Sequence, residues 1–512
     1  MPDNSANNKR IAKNTLLLYV RMLFTMAVQL FTSRVVLNTL GVVDYGIYNV
    51  VGGIVTMFAF LNGAMVASTQ RYITFELGRG NLEQLKKVFT TSVQIHGIIS
   101  LVVILLGETI GLWFLYNKMV IPPERMYAAL WVFHLSILTM VVQVMSVPYN
   151  SAIIAHEKMG AFAMISVVEV VLKLVIVYLL LIGNFDKLVL YAIMITCVQL
   201  LVRYIYTRYC NRHFQETKLM RVFEKPLMAE MGKFAGWNIW GNLAGTLFGT
   251  GVNLLLNVFF GPAVNAARAI AVQVETAIAN FSTNFLMAVN PQITKLYAQE
   301  NLRDMHTLLF RASKFTFFLL FTLSLPVMME TDTILQVWLK NVPDYTVQFL
   351  RLLLCIVTID AMARPLMTAA AATGRVKVYQ SVIGGILLSI VPIAYIVLRL
   401  GGDPTSVYVV HLVICMIAFI TRLFIIKPLI KLSLRSFVSE VAVRCLSACM
   451  PPLLIIYFIQ RILPTGMFSA IIVCMSSFIL AALSSYLLGM EPRERTYVRN
   501  KAVSILSKIK SH

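Results

Sequence analysis

The chain has 512 residues, of which 58% are hydrophobic and only 13% charged, and it carries a formal net charge of +21. A soluble protein of this length cannot bury so much apolar surface, so composition points to a polytopic membrane protein. The excess of Lys and Arg would also suit nucleic acid, but cytoplasmic loops of membrane proteins collect the same residues, and no nucleic-acid partner is expected.

The polar start MPDNSANNKR runs into an apolar segment that is too long for a signal core and lacks a small-residue cleavage site, so the first span is expected to act as its own targeting signal. Apolar runs of spanning length follow at about 15–38, 46–69, 88–115, 127–147, 160–183, 187–209, 233–258, 263–290, 308–329, 346–370, 378–399, 405–427, 437–461 and 466–489. The expected fold is therefore an all-α membrane protein with 14 transmembrane helices.

Charge placement tests that count. With the N-terminus in the cytoplasm, most Lys and Arg fall on the cytoplasmic side, among them Arg71, Lys86, Arg212, Arg303, Arg375 and Lys431. The other side receives Lys118, Arg125, Lys187, Lys340, Arg351, Arg399 and Arg461. Both termini are then expected in the cytoplasm.

The stretch from Phe31 to Glu83 has a second, weaker appearance between Leu254 and Arg303. Leu40-Gly41 pairs with Phe260-Gly261, Met65 with Met287, Gln70 with Gln292 and Asn81-Leu82 with Asn301-Leu302, at a nearly constant offset. The match continues with Pro148 and Pro365, the Gly183-to-Asp186 and Gly401-to-Asp403 turns, and Arg203 and Arg422. Two six-helix repeats are expected to form two lobes around a central cavity, with both copies entering the membrane in the same direction. The expected boundaries are 1–210 for the first lobe, 211–232 for a basic cytoplasmic connector, 233–435 for the second lobe, 436–490 for two additional C-terminal helices and 491–512 for a basic tail.

Ionisable groups inside spans are costly and draw attention first. In span 1, Asn14, Arg21, Thr25, Gln29 and Thr32 fall within roughly 80° of Arg21 on a helical wheel. Span 7 carries Asn238, Asn242, Thr246, Asn253 and Asn257 within roughly 100° of one another. Single groups of this kind often only bond helix to helix, but two matching stripes point to a wet cavity. Arg34 lies near the outer end of span 1, where it could instead snorkel into headgroups. Arg268 enters span 8 at a similar depth, and Glu275 follows on the same face about 10 Å along the axis, too far for a direct pair. Lys173 with Glu169, Arg444 with Glu440 and Arg364 with Asp360 stand four apart and can neutralise each other. The seven cysteines show no metal or redox spacing, and neither metal nor cofactor is expected.

With its 14 spans, its duplication and the stretch TSRVVLNTLGVVDYGIYNVVGGI, the chain resembles the O-antigen (Wzx-type) polysaccharide flippases of the multidrug/oligosaccharidyl-lipid/polysaccharide (MOP) exporter superfamily. Ser33-Arg34, Leu40-Gly41, Tyr45-Gly46 and Asn290-Pro291-Gln292-Ile293 carry the resemblance. It implies an alternating-access transporter in a bacterial inner membrane that flips an undecaprenyl-diphosphate-linked oligosaccharide for surface polysaccharide or lipopolysaccharide assembly, and it implies no enzyme activity. It further implies substrate binding by cavity arginines, for which Arg21, Arg34 and Arg268 are the candidates. Gln29, Asn242 and Asn253 join them from the stripes. A coupling ion, sodium or proton, would fall to Glu275 or Asp360, and polysaccharide assembly proteins are possible partners besides membrane lipids. Two alternatives stay open. One is a multidrug antiporter of the MATE type, for which cavity sign discriminates, and spans 1 and 7 contain no Asp or Glu. The other is a membrane-embedded polysaccharide polymerase, which should show a large loop or a catalytic cluster.

Overall fold

The computed structural model describes residues 4–56, 59–119, 121–180, 186–339, 342–464, 466–492, 494–496 and 499. The described chain is all-helical. Its elements are α1 (Asn4–Thr56), α2 (Ala59–Arg79), α3 (Leu82–Leu106), α4 (Leu112–Lys118), α5 (Met126–Ala155), α6 (Met159–Leu179), α7 (Lys187–His213), α8 (Lys225–Phe260) and α9 (Pro262–Ala298). They continue as α10 (Leu302–Met329), α11 (Thr331–Leu339), α12 (Thr346–Ala372), α13 (Lys377–Leu388), α14 (Ile390–Arg399), α15 (Ser406–Ile430), α16 (Leu434–Phe437), α17 (Val443–Ile462) and α18 (Met467–Ser484).

Among the described residues, 12 helical segments are long and apolar enough to cross a membrane. The remaining two of the 14 expected spans lie at the α1–α2 junction and in α9. The second fails on hydropathy because α9 carries Asn265, Arg268, Gln273, Glu275 and Asn280 along its first half. Exposed apolar side chains such as Leu16, Ile98, Leu105, Met164, Phe424 and Ile471 leave their helices with surfaces suited to lipid.

The repeat is written in the backbone. Gly41 and Gly261 occupy matching positions with φ of 79° and 80°, values that a residue with a Cβ reaches only under strain. In the first copy the helix breaks at Gly41, whose φ of 79° and ψ of 168° are not helical. In the second, α8 stops at Phe260 and Pro262 opens α9, since proline suits the first turn of a helix. Pro148 inside α5 and Pro365 inside α12 match in the same way.

The chain divides into two compact units, one made of Met1–Leu243 with Met287–Asn301, the other of Ala244–Leu286 with Leu302–His512. Within the first, α5 packs on α7, α2 and α3 pack on α5, and α1 packs on α6. A core of Val51, Val103, Leu115, Val132, Phe133 and Val144 fills this packing. The connector lies on α3, where Gln94 donates to the Val222 carbonyl at 2.8 Å and the Met220 amide donates to Thr90 Oγ1 at 3.2 Å. Lys173 reaches Glu169 at 2.6 Å. Just before α5, Arg125 forks onto Asp44 through Nε and Nη2 at 2.8 and 2.6 Å, and its Nη1 meets Asp186 at 2.6 Å. Asp186 also caps α7 by accepting the Leu188 and Val189 amides. Partial burial works to raise the Asp186 pKa, but the Arg125 hydrogen bond and those two amides hold it below the usual aspartate value.

Within the second unit, α12 packs on α10 and α15, and α18 packs on α10 and α17. Here the segment after α18 takes the place that the connector has in the first unit. Lys314 of α10, 1% exposed, meets Glu494 at 3.1 Å and Glu491 at 3.3 Å. Arg444 turns to Glu491 at 3.7 Å instead of pairing with Glu440. A π-turn over Val438–Ala442 widens the helix between them, so a four-residue spacing no longer places the two side chains on one face. The Gly183 side of the paired turns, the Lys340 position and most of the basic tail lie outside the described residues.

Candidate functional site

Three helices of the second unit turn ionisable side chains into one cavity of about 320 Å³, and α8 closes it with Phe248 and Val252. Helical periodicity brings them there: α9 supplies Arg268, Val272 and Glu275, α12 supplies Val357, Asp360 and Arg364, and α15 supplies Tyr408, His411, Cys415, Ala418 and Arg422. Each set repeats every three or four residues and so lies on one helix face.

Asp360 is compensated. Its Oδ1 receives Arg422 Nη1 at 2.5 Å, and Arg364 Nε stands 3.7 Å from Oδ2. Arg364 also donates to Thr283 Oγ1 at 3.1 Å. Glu275 has a different setting. Its carboxylate accepts the neighbouring Thr276 hydroxyl at 3.3 Å, and among the described residues no cation stands within ion-pair distance of it.

Arg268 is held by neutral groups. Its Nη2 donates to the Gly249 carbonyl at 2.9 Å and its Nη1 to Asn253 Oδ1 at 3.4 Å, and among the described residues no carboxylate pairs with it. Among the described residues, Arg268 Nε, Arg422 Nε and His411 Nδ1 have no hydrogen-bond partner, while the Tyr408 hydroxyl stands beside the Arg268 guanidinium. Arg422 is 8% exposed, and a buried polar group of this kind is ordinarily satisfied by a partner or an ordered water. An arginine kept charged in a span without a counter-ion is costly, and such residues mark substrate or ion pathways.

The remaining candidates lie in the first unit. Arg21 is half-buried over the Phe162 ring at 4.6 Å, with no acidic partner within ion-pair distance among the described residues. Gln29 is exposed, as is Asn242, which faces Gly63. Asn14 is buried and donates to the Glu157 carbonyl at 3.1 Å, which makes it a tether between helices. The side chain of Arg34 lies outside the described residues. The structure therefore brings Arg268, Glu275 and Asp360 to one cavity, with Asn253 bonded to Arg268, while Arg21, Gln29 and Asn242 belong to the other unit.

Sequence reasoning missed Tyr408 and His411, although the run Tyr408, His411, Cys415, Arg422 had helical spacing in span 12. It also missed Glu157, whose burial no local pattern announces.

No family model matches the sequence, and no curated protein matches it. Solved structures do. A MATE transporter in the bent conformation superposes with a TM-score of 0.72 at 13% identity, covering 83% of this chain and 96% of that one. An outward-facing multidrug resistance MATE family transporter of the MOP superfamily gives 0.67 at 15% identity, covering 82% and 96%. A MOP superfamily transporter from Pyrococcus furiosus, whose binding pocket is described as reversed in polarity, gives 0.68 at 14% identity over 82% and 96%. The chain has the fold of these MATE and MOP superfamily structures over their nearly complete length.

Proposed function

We propose that this protein is a transporter, not an enzyme, that turns an undecaprenyl-diphosphate-linked oligosaccharide from the cytoplasmic to the periplasmic leaflet of a bacterial inner membrane by alternating access. The observation that carries this reading is Arg268, a guanidinium beside a polar cavity, held by a carbonyl and an amide and paired with no carboxylate among the described residues. A guanidinium keeps its charge at any relevant pH and matches phosphate oxygens bidentately. Arg21 and Arg34 are proposed to add to the same positive field, with Gln29, Asn242 and Asn253 offering polar contacts to the sugars. Asp360 is occupied by two arginines, so of the two carboxylates Glu275 is the better candidate for a coupling proton or sodium ion. Both termini and the connector are placed in the cytoplasm by the distribution of Lys and Arg, and assembly proteins for lipopolysaccharide or another surface polysaccharide are the expected partners.

The test is reconstituted flipping of a lipid-linked oligosaccharide, with the intermediate that accumulates in a deletion strain identifying the sugar. Wild-type flipping by Arg268→Ala at normal expression would reject the reading.

A second reading is favoured by Glu275. An acidic side chain in the cavity with no cation within ion-pair distance among the described residues would serve a MATE-type antiporter of cationic compounds. Energised uptake of a cationic dye, lost in Glu275→Gln and kept in Arg268→Ala, would select it.

A further inference from the structure

Glu157 stands in the turn between α5 and α6, at the end of the first unit assigned above to the cytoplasm, and its side chain is only 1% exposed. Four groups from two helices converge on it. From α1, Arg10 Nε meets Oε2 at 2.7 Å, and Asn14 donates to its main-chain carbonyl at 3.1 Å. From α9, Lys295 Nζ meets Oε1 at 2.6 Å, and Gln292 Nε2 donates to Oε2 at 2.6 Å. Arg10 and Asn14 are one turn apart on α1, and Gln292 and Lys295 one turn apart on α9, so each helix presents one face to the carboxylate.

The backbone says that this residue is there for its side chain. Glu157 has φ of 59°, and its counterpart in the second repeat is Gly374 with φ of 76°. Glycine adopts this conformation without strain, and glutamate does not. The turn itself would be better made by glycine, and glutamate's addition is the junction of α1 and α9. Those helices carry Arg21 and Arg268. Close by, Gly78 of α2 lets α9 approach so tightly that a Cβ there would stand 2.8 Å from the Ala298 Cβ and 3.0 Å from the Lys295 main chain.

The junction can also be undone. It consists of side-chain tips, and Arg10 and Lys295 are 47% and 20% exposed, so water can take over their hydrogen bonds. We infer that Glu157 is the pin of a releasable clasp that holds the cytoplasmic ends of α1 and α9 together and opens to admit substrate from that side. This rests on alternating access but on no particular substrate.

The experiment uses the full-length protein in lipid nanodiscs, with spin labels at the exposed positions Lys13 and Gln299. The wild type should give a short, narrow distance distribution. Glu157→Ala and Glu157→Gly should raise the population at longer distance several-fold. Lys295→Glu, which sets two carboxylates face to face, should raise it further. Glu157→Gly is the decisive variant because glycine fits the backbone at this turn. Unchanged distances in Glu157→Ala and Glu157→Gly overturn the inference. Loss of folded protein in both also overturns it, because Glu157 would then serve folding alone. The distances are read without substrate, so a clasp that opens in a protein that flips no lipid-linked oligosaccharide would reject only the substrate.

Discussion

The two repeats place different chemistry at most of their matching positions, although Arg203 and Arg422 are alike. Around the second-unit cavity stand Arg268, Glu275, Asp360, His411 and Arg422. The pairings that match Gly41 with Gly261, Pro148 with Pro365 and Arg203 with Arg422 put Tyr48, Val55, Gln143, Ala192 and Arg203 at the equivalent places in the first repeat. There Tyr48 packs edge-on against Tyr191 at 4.9 Å, and with Ala192, Val51 and Val144 it belongs to the apolar core. The first repeat is instead tied at its ends, by Arg125 with Asp44 and Asp186 and by Glu157 with its four partners. One backbone plan thus supports an apolar core around Tyr48 and Ala192 in one copy and a cavity with ionisable side chains in its wall in the other. A duplicated fold does not require a duplicated site.

The most severe way to break this contrast is to make the second copy neutral where the first already is. Arg268→Ala should abolish flipping in reconstituted vesicles while leaving insertion intact, because removing a charge from a span makes insertion easier. Arg268→Lys should rescue only part of the rate, since it keeps the charge but loses the planar fork. Next in size is Asp360→Ala, which leaves Arg422 and Arg364 facing each other without their shared carboxylate. Asp360 is part-buried, with 30% of its side chain exposed, so losing its charge-assisted hydrogen bonds costs about 1.5–3 kcal/mol, and a clear fall in the thermal unfolding midpoint is expected. Gln143→Ala, at the equivalent position of the first repeat, should change stability by about 1 kcal/mol or less.

Much of this contrast could be read before the structure. Hydropathy found the spans because lipid-facing helices need long apolar runs, and the duplication was visible because turns such as Gly41 and Gly261 tolerate few residues. Arg268 stood out as a charge in a span with no acidic residue one turn away. Glu157 did not, because it lies in a loop beside Lys158, where a glutamate is expected to be solvated, and its partners Arg10 and Lys295 are brought to it only by tertiary packing. His411 and Tyr408 were hidden for another reason. Their stripe runs through the most apolar of the candidate spans, where single polar residues read as packing. The Arg444–Glu440 pair was expected from α-helical spacing and lost to a π-turn that spacing alone does not show.

A milder change sharpens the comparison at one wall. His411→Leu brings α15 closer to the composition of the first-repeat core and removes a buried nitrogen that has no partner among the described residues. Stability should stay within about 1 kcal/mol or rise, because an unsatisfied buried polar group is itself unfavourable. Transport should fall several-fold if the imidazole contacts the substrate, and the two readouts together separate a cavity role from a packing role.

The smallest expected effect concerns the Arg125 clamp on Asp186. Asp186 is held by Arg125, whereas among the described residues its counterpart Asp403 bonds locally to Ser406. Because Asp186 is shifted below its unfolded value, its contribution is fully present above the ordinary aspartate pKa of about 4 and is lost as pH falls through the lowered folded value. Asp186→Asn should therefore lower the unfolding midpoint slightly at about pH 7, and the gap to wild type should close on acidification. Asp403→Asn should show a smaller gap at neutral pH. The clamp is partly exposed, so the difference should not exceed about 1 kcal/mol. Equal gaps for both variants, measured by thermal unfolding across that pH range, would show that Asp186 and Asp403 hold their turns alike.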